Sequence, residues 1–310
     1  MDAPELARRS EEGTFDPEEL LEAHRARVRK LADSRLKIPP EVLHVEAHNT
    51  WVANQPGTTL VIPVGDLAQH VLAGLCYYTQ NGVCFYDDIH GQEIEGLDRF
   101  KDLVDVENPM PLSFLEMWSL SELTAELSTA CYAGMLMLQA MGLGGWMFNG
   151  MDPFSVLGAS GDPEVPGLGF RYDTDERWSL PNPTGLPGVF EGYTPPHYRD
   201  MRHEVDALAE RKFGTGGPFN PETPGYYKDT KAVRSSAKPH DEKFRACVAL
   251  QAKHIYDSFG KFPGTVPSIF VMLYLQAQHL DLDFYDHFYE KGAYLETHAR
   301  HMERWHPGGK

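Results

Sequence analysis

Cysteine is scarce: the 310 residues hold four, at 76, 84, 131 and 247, with no Cys-x-x-Cys pair among them. None has a histidine beside it, so nothing local argues for thiol catalysis. They read as reduced, mostly buried thiols of a cytoplasmic protein. Positive charge is also short, with 28 Lys and Arg against 45 Asp and Glu and a formal net charge of −17. A field of that sign repels nucleic acid and anionic membrane, so neither is expected as a partner, although a local basic cluster can still hold a phosphate. The first residues, MDAPELARRSEEGTFDPEE, have no apolar core of a signal peptide. There is no Gly-rich GxxxxGKS loop, no Gly-x-Ser-x-Gly elbow, no HExxH and no internal repeat. Nucleotide triphosphatase and serine-hydrolase readings lose their usual signals with them. One long apolar run, Leu127 to Phe148, is interrupted by Gln139 and three clustered glycines and has no flanking Lys/Arg bias, so a membrane span is not expected.

What is present is an ordinary globular composition, 42% hydrophobic and 24% charged, long enough for one large core or two smaller ones. The chain centres on Ser119 to Ala159. Ser119 and Glu122 have capping-box spacing, about twenty nearly uncharged residues follow, and Gly142-Leu143-Gly144-Gly145 ends the run. Apolar residues on nearly every face predict a buried central helix. Small residues along it would let a backbone or a flat ligand approach, and the glycines would expose backbone amides to such a ligand.

Elsewhere, Asp16-Pro17 opens a helix through about Leu31, Glu41 to His48 is a short helix, and Thr58 to Val64 and Val83 to Tyr86 read as strands. Asp66 to Tyr78 is helical. Val165 to Tyr172 is a strand candidate. From Asp152 to Tyr227 the chain is rich in Pro and Gly, relieved by a charged surface helix over Pro196 to Lys212. Helices are expected over Asp241 to Phe259, Val266 to Leu280 and Asp283 to Trp305. The fold expected is α+β: a peripheral N-terminus (1–16), a core (17–175), a Pro/Gly-rich arm (176–239) and a helical C-terminal unit (240–310).

Three stretches, in the same order, resemble the FMN-dependent nitroreductase family. Arg25-Ala-Arg27-Val-Arg29-Lys30 with Ile38-Pro39-Pro40-Glu41-Val42-Leu43 is similar to the family's arginine-rich phosphate segment and the helix start after it. Asn54-Gln55-Pro56 is similar to its Asn-x-Gln-Pro turn, one residue shorter. Ala140-Met141-Gly142-Leu143-Gly144, with Leu157-Gly158-Ala159 farther on, resembles the region where a helix ends beside the flavin. The resemblance implies a nitroreductase-like core, bound FMN, a homodimer and hydride transfer to a small substrate. In that reading Arg25, Arg27 and Arg29 hold the phosphate, because grouped guanidinium donors suit it. Asn54, Gln55 and the backbone of Gly142, Leu143, Gly144 and Gly145 face the ring, while Trp146 and Phe148 neighbour an aromatic substrate.

Two other readings stand beside it. The C-terminal run concentrates histidines and carboxylates, and His279, Asp283, His287, His298 and His301 could ligate Fe, Mn or Zn in an oxygenase-like enzyme. The same i,i+4 and i,i+3 spacings also fit a solvated helix surface. The other alternative is a flavin-free, non-catalytic relative, a stable dimer with no chromophore.

Overall fold

The computed structural model describes residues 58–225, 227–266, 269–270, 274–278, 282–305 and 307, with scattered positions between 12 and 45. Helix and strand are mixed throughout. In chain order the elements are β1 (Thr59–Val61), β2 (Gly65–Asp66), α1 (Leu67–Gln80), β3 (Val83–Tyr86), β4 (Asp105–Pro111), α2 (Leu112–Ala140), β5 (Gly144–Phe148), α3 (Pro153–Leu157), β6 (Arg171–Asp175), β7 (Trp178–Leu186) and β8 (Phe190–Glu191). They continue with α4 (Met201–Phe213), α5 (Thr230–Ser235), α6 (Glu242–Phe259), β9 (Ile269–Phe270), β10 (Tyr274–Gln278), α7 (Leu282–Phe288) and α8 (Glu296–Trp305). No helix among the described residues is long and apolar enough to cross a membrane.

The chain divides into two compact units that interleave in sequence: residues 1–33, 71–115 and 192–266, and residues 34–70, 116–191 and 267–310. The expected partition at 175 and 239 is therefore not the one found, because both units draw on early and late segments. The arm is not structureless either, since 176–239 carries β7, β8, α4 and α5.

In the first unit, β3 and β4 pair in parallel and α4 packs along α6. Asp241 caps α6 by accepting from the amide of Phe244, and Gly260 ends it at φ 75°. The helix α4 starts at Met201 behind the Asp200 cap rather than at Pro196. One of its faces, with Met201, Val205 and Leu208, is buried in the core, so it is amphipathic rather than a purely surface helix. Gln251, fully buried on α6, accepts from the amide of Phe85 at 3.0 Å and donates to Thr79 Oγ1 at 3.3 Å. One amide side chain thereby ties β3 to α1. Burial pushes the thiols of Cys76 and Cys247 up to about 11 and about 12, which keeps both protonated and inert.

His240 precedes the α6 cap and lies between Phe244, stacked at 4.3 Å, and Phe213 at 4.8 Å. Burial, then the cations Lys212 and Arg245, lower its pKa from 6.5 to about 4. The native state holds it neutral, so its contribution is complete above pH 6.5 and disappears as pH falls from 6.5 through 4. Discounted for the solvent that still reaches this half-buried ring, the loss should reach about 2 to 3 kcal/mol. A His240→Phe variant should flatten the stability curve over that window in urea titrations; an unchanged slope would assign the effect elsewhere.

In the second unit, β10 is the central strand of an antiparallel sheet ordered β1-β10-β5, β2 pairs with β9, and β6-β7-β8 form an antiparallel meander. The expected helix over Val266 to Leu280 is instead β9 and β10. The apolar, β-branched and aromatic run there satisfies a strand flanked on both edges as well as a buried helix. The strand expected from Val165 begins only at Arg171. Val45 bridges to Met151, and His44 accepts from the amide of Asp152, so at these positions the 41–48 segment pairs with a neighbour rather than coiling. The expected helix over Asp283 to Trp305 is two, α7 and α8.

The helix α2 departs most from expectation. It begins seven residues before Ser119, which is buried mid-helix, and Glu122 bonds His70 Nε2 at 2.9 Å instead of closing a capping box. Nor is it buried throughout: beyond Leu123 only Cys131 is buried, and Tyr132, Leu136 and Met137 are exposed. Thr124, Ser128 and Thr129 return their hydroxyls to carbonyls one turn back, which satisfies them without any neighbour.

Candidate functional site

The glycine turn after α2 is a helix cap of a definite kind. Gly142 takes φ 72°, its amide donates to Gln139 O at 3.0 Å, and Leu143 donates to Leu138 O at 2.9 Å. These are the two bonds of a Schellman motif. The amides of Gly142 and Leu143 are therefore consumed by the helix end, against the expectation that they face a ring. The open side of Gly142 is also taken: a Cβ there would lie 2.4 Å from His301 Cβ and Cγ. Two motifs far apart in sequence, the glycine turn and the C-terminal histidines, thus meet at this residue.

Gly144 and Gly145 open β5, paired with Gln278 and Ala277 of β10. Among the described residues β5 is an edge of its sheet, so alternate amides along it point away from β10. Trp146 packs against a buried cluster containing Ile38, Val45, Met151, Val156, Leu157, Val165 and Phe170. Parts of two of the resembling stretches, Ile38 from the first and Leu157 from the third, share that cluster. Phe148 is the last residue of β5 and pairs with Tyr274.

Arg25 and Arg29 are exposed and belong to the first unit, and neither is in an ion pair among the described residues. Arg27, Asn54 and Gln55 lie outside the described residues. In the metal reading, His279 also lies outside them. Asp283 and His287 are exposed on α7. His298 Nδ1 accepts from the amide of Leu295 at 3.4 Å, reaching back over the first turn of α8, and His301 covers Gly142. Among the described residues no group of three or more His, Cys, Asp or Glu is arranged to hold a metal.

Two polar clusters carry no sequence motif. In the second unit, Ser155 is buried, and its hydroxyl donates to Asp152 Oδ2 at 2.7 Å while His44 Nδ1 lies 2.8 Å away. The carboxylate only accepts, so the serine proton is committed to it and His44 must donate. Ser155 therefore serves the Asp152 cap of α3, to which its amide also donates at 2.8 Å, and its hydroxyl is not activated as a nucleophile.

The other cluster surrounds Asp87, just past β3 in the first unit. Its side chain is wholly buried. Oδ1 accepts from the amides of Ile89 and His90, and Oδ2 from His90 Nδ1 at 2.7 Å, His254 Nε2 at 3.1 Å and Gln92 Nε2 at 3.4 Å. Burial alone would raise this carboxyl; the hydrogen bonds from His90, His254 and Gln92 outweigh it and hold it at about 2. Sequence reasoning missed the group because His254 is 167 residues away. The available signal was a histidine flanking the buried face of α6, a position that needs a polar partner.

Comparison with family models, with curated proteins and with solved structures finds no match.

Proposed function

We propose that the chain is an FMN-dependent oxidoreductase of nitroreductase-like fold, acting on a small, flat substrate and working as a homodimer. One observation carries the reading: Ile38, Trp146 and Leu157, each within or beside a resembling stretch, lie in one packed cluster beside an edge strand that begins with two glycines. The fit to the cofactor is selective. Gly142 and Leu143 have no free amide to offer, so the ring-facing backbone is restricted to Gly144 through Phe148. There, the two glycines bring no side chain between the backbone and a flat group. Arg25 and Arg29, both exposed, are the described residues that the resemblance assigns to the phosphate. Bound FMN would supply hydride acceptance and delivery; the chain's part is to orient the ring and exclude water around it.

The test is the visible spectrum of freshly purified, untagged protein, repeated on the supernatant after heating. A yellow chromophore identified as FMN is expected, and an Arg25→Ala/Arg29→Ala double variant should retain it at least about tenfold more weakly, since charged hydrogen bonds are lost. A colourless protein that takes up no added FMN would sink the reading in favour of the flavin-free relative.

A further inference from the structure

The loop that leaves β3 sets an exposed imidazole against a buried carboxylate, and the flavin reading uses none of these residues. Asp87 is ionised, so both oxygens only accept. His90 must then carry its hydrogen on Nδ1 and His254 on Nε2. Neutral His90 is left with a bare Nε2 on a side chain that is 44% exposed. The ring is not free to wander. Phe259 lies 4.8 Å from it, and Asp87 and Gln92 close the loop by exchanging two backbone hydrogen bonds. Ser258 Oγ approaches His254 at 3.4 Å, but on the nitrogen that already faces Asp87, so the serine is not activated.

A carboxylate that fixes the imidazole tautomer and offsets the charge of the imidazolium leaves the far nitrogen as a proton acceptor. The hydrogen-bond partners of Asp87 are amides, Gln92 and imidazoles, with no Lys or Arg to attract an anion, and Phe259 offers apolar surface beside the ring. We propose that His90 Nε2 is a general base that activates water against small neutral aryl esters. Nε2 takes one proton of the water as its oxygen bonds to the acyl carbon. Collapse of the adduct breaks the acyl–oxygen bond, the aryl oxide leaves, and the imidazolium returns its proton to it. Beyond Asp87, which holds the imidazole, the step uses no other protein group, and the proposal stands whether or not the protein binds flavin.

The experiment is hydrolysis of p-nitrophenyl acetate by the full chain at neutral pH. The unaltered protein should exceed both buffer and free imidazole at equal histidine concentration. His90→Gln, a change on an exposed side chain, should lower kcat/KM about 100-fold, while His203→Gln leaves it unchanged. Nitrogen-15 NMR of the unaltered protein should show His90 protonated at Nδ1 and bare at Nε2. Turnover no greater than free imidazole, equal rates in the two variants, or a proton on Nε2 in the neutral ring would each overturn the assignment.

Discussion

Gly158→Ala is expected to destabilise the second unit by about 3 to 5 kcal/mol, among the largest effects a single methyl group produces. Gly158 ends α3 at φ 92°, a region that carries a steric cost for any residue with a Cβ. Conformation is the smaller part. A Cβ at Gly158 would lie 2.3 Å from Pro166 O, and one at Gly167 would lie 2.3 Å from Gly158 N, so the two backbones touch where each lacks a side chain. The returning segment is held there because Leu168 donates to Val156 O at 2.8 Å and Phe170 to Leu157 O at 2.9 Å. Neither carbonyl nor amide can swing aside without opening the cluster that contains Val156, Leu157, Val165 and Phe170.

Gly161 separates the two contributions. It has φ 81° and nothing within 4 Å of the place a methyl group would take, so Gly161→Ala should cost only the conformational share, about 1 kcal/mol. Urea unfolding of both variants reads the difference. Equal losses would mean that the close approach of the backbones contributes nothing.

That contact also shows what a motif on paper hides. Leu157-Gly158-Ala159 is legible as a place where glycine matters, but the reason is a neighbouring strand of chain rather than a ligand. The same holds for Gly142, where the helix end was readable and the consumption of its amides was not, because a Schellman cap and an open anion cradle share one sequence. Elements bounded by strong local chemistry were readable: α6 between Asp241 and Gly260, α1 after Asp66, and β3 after Asn81-Gly82. The start of α2 was not, since Ser119 and Glu122 imitate a cap in mid-helix. Strand β10 was not either, because an apolar run has no period to distinguish a fully flanked strand from a buried helix. The Asp87 group is beyond local reading altogether. Nothing near it announces that α6 will bring a second imidazole to the same oxygen.

Asp87→Asn is the second large effect expected, and it tests that oxygen directly. The native carboxylate receives five donors from within the chain. Asparagine keeps the shape but can present only one oxygen, so its own NH2 group must confront either the backbone amides of the loop or the imidazole N–H groups. A buried donor facing a donor loses both partners, and the loss should be about 2 to 4 kcal/mol. The pH dependence identifies the cause. The native carboxyl lies at about 2 against an ordinary 3.8, so its stabilisation is complete above about pH 4 and is lost as pH falls from there through 2. That difference corresponds to about 2 kcal/mol. The gap between native protein and variant should therefore narrow across this acid window. Denaturant titrations at successive pH values measure it. A gap that does not narrow in acid would mean that Asp87 acts by its shape alone, and the charge that holds His90 and His254 in their tautomers would have to be sought in another group.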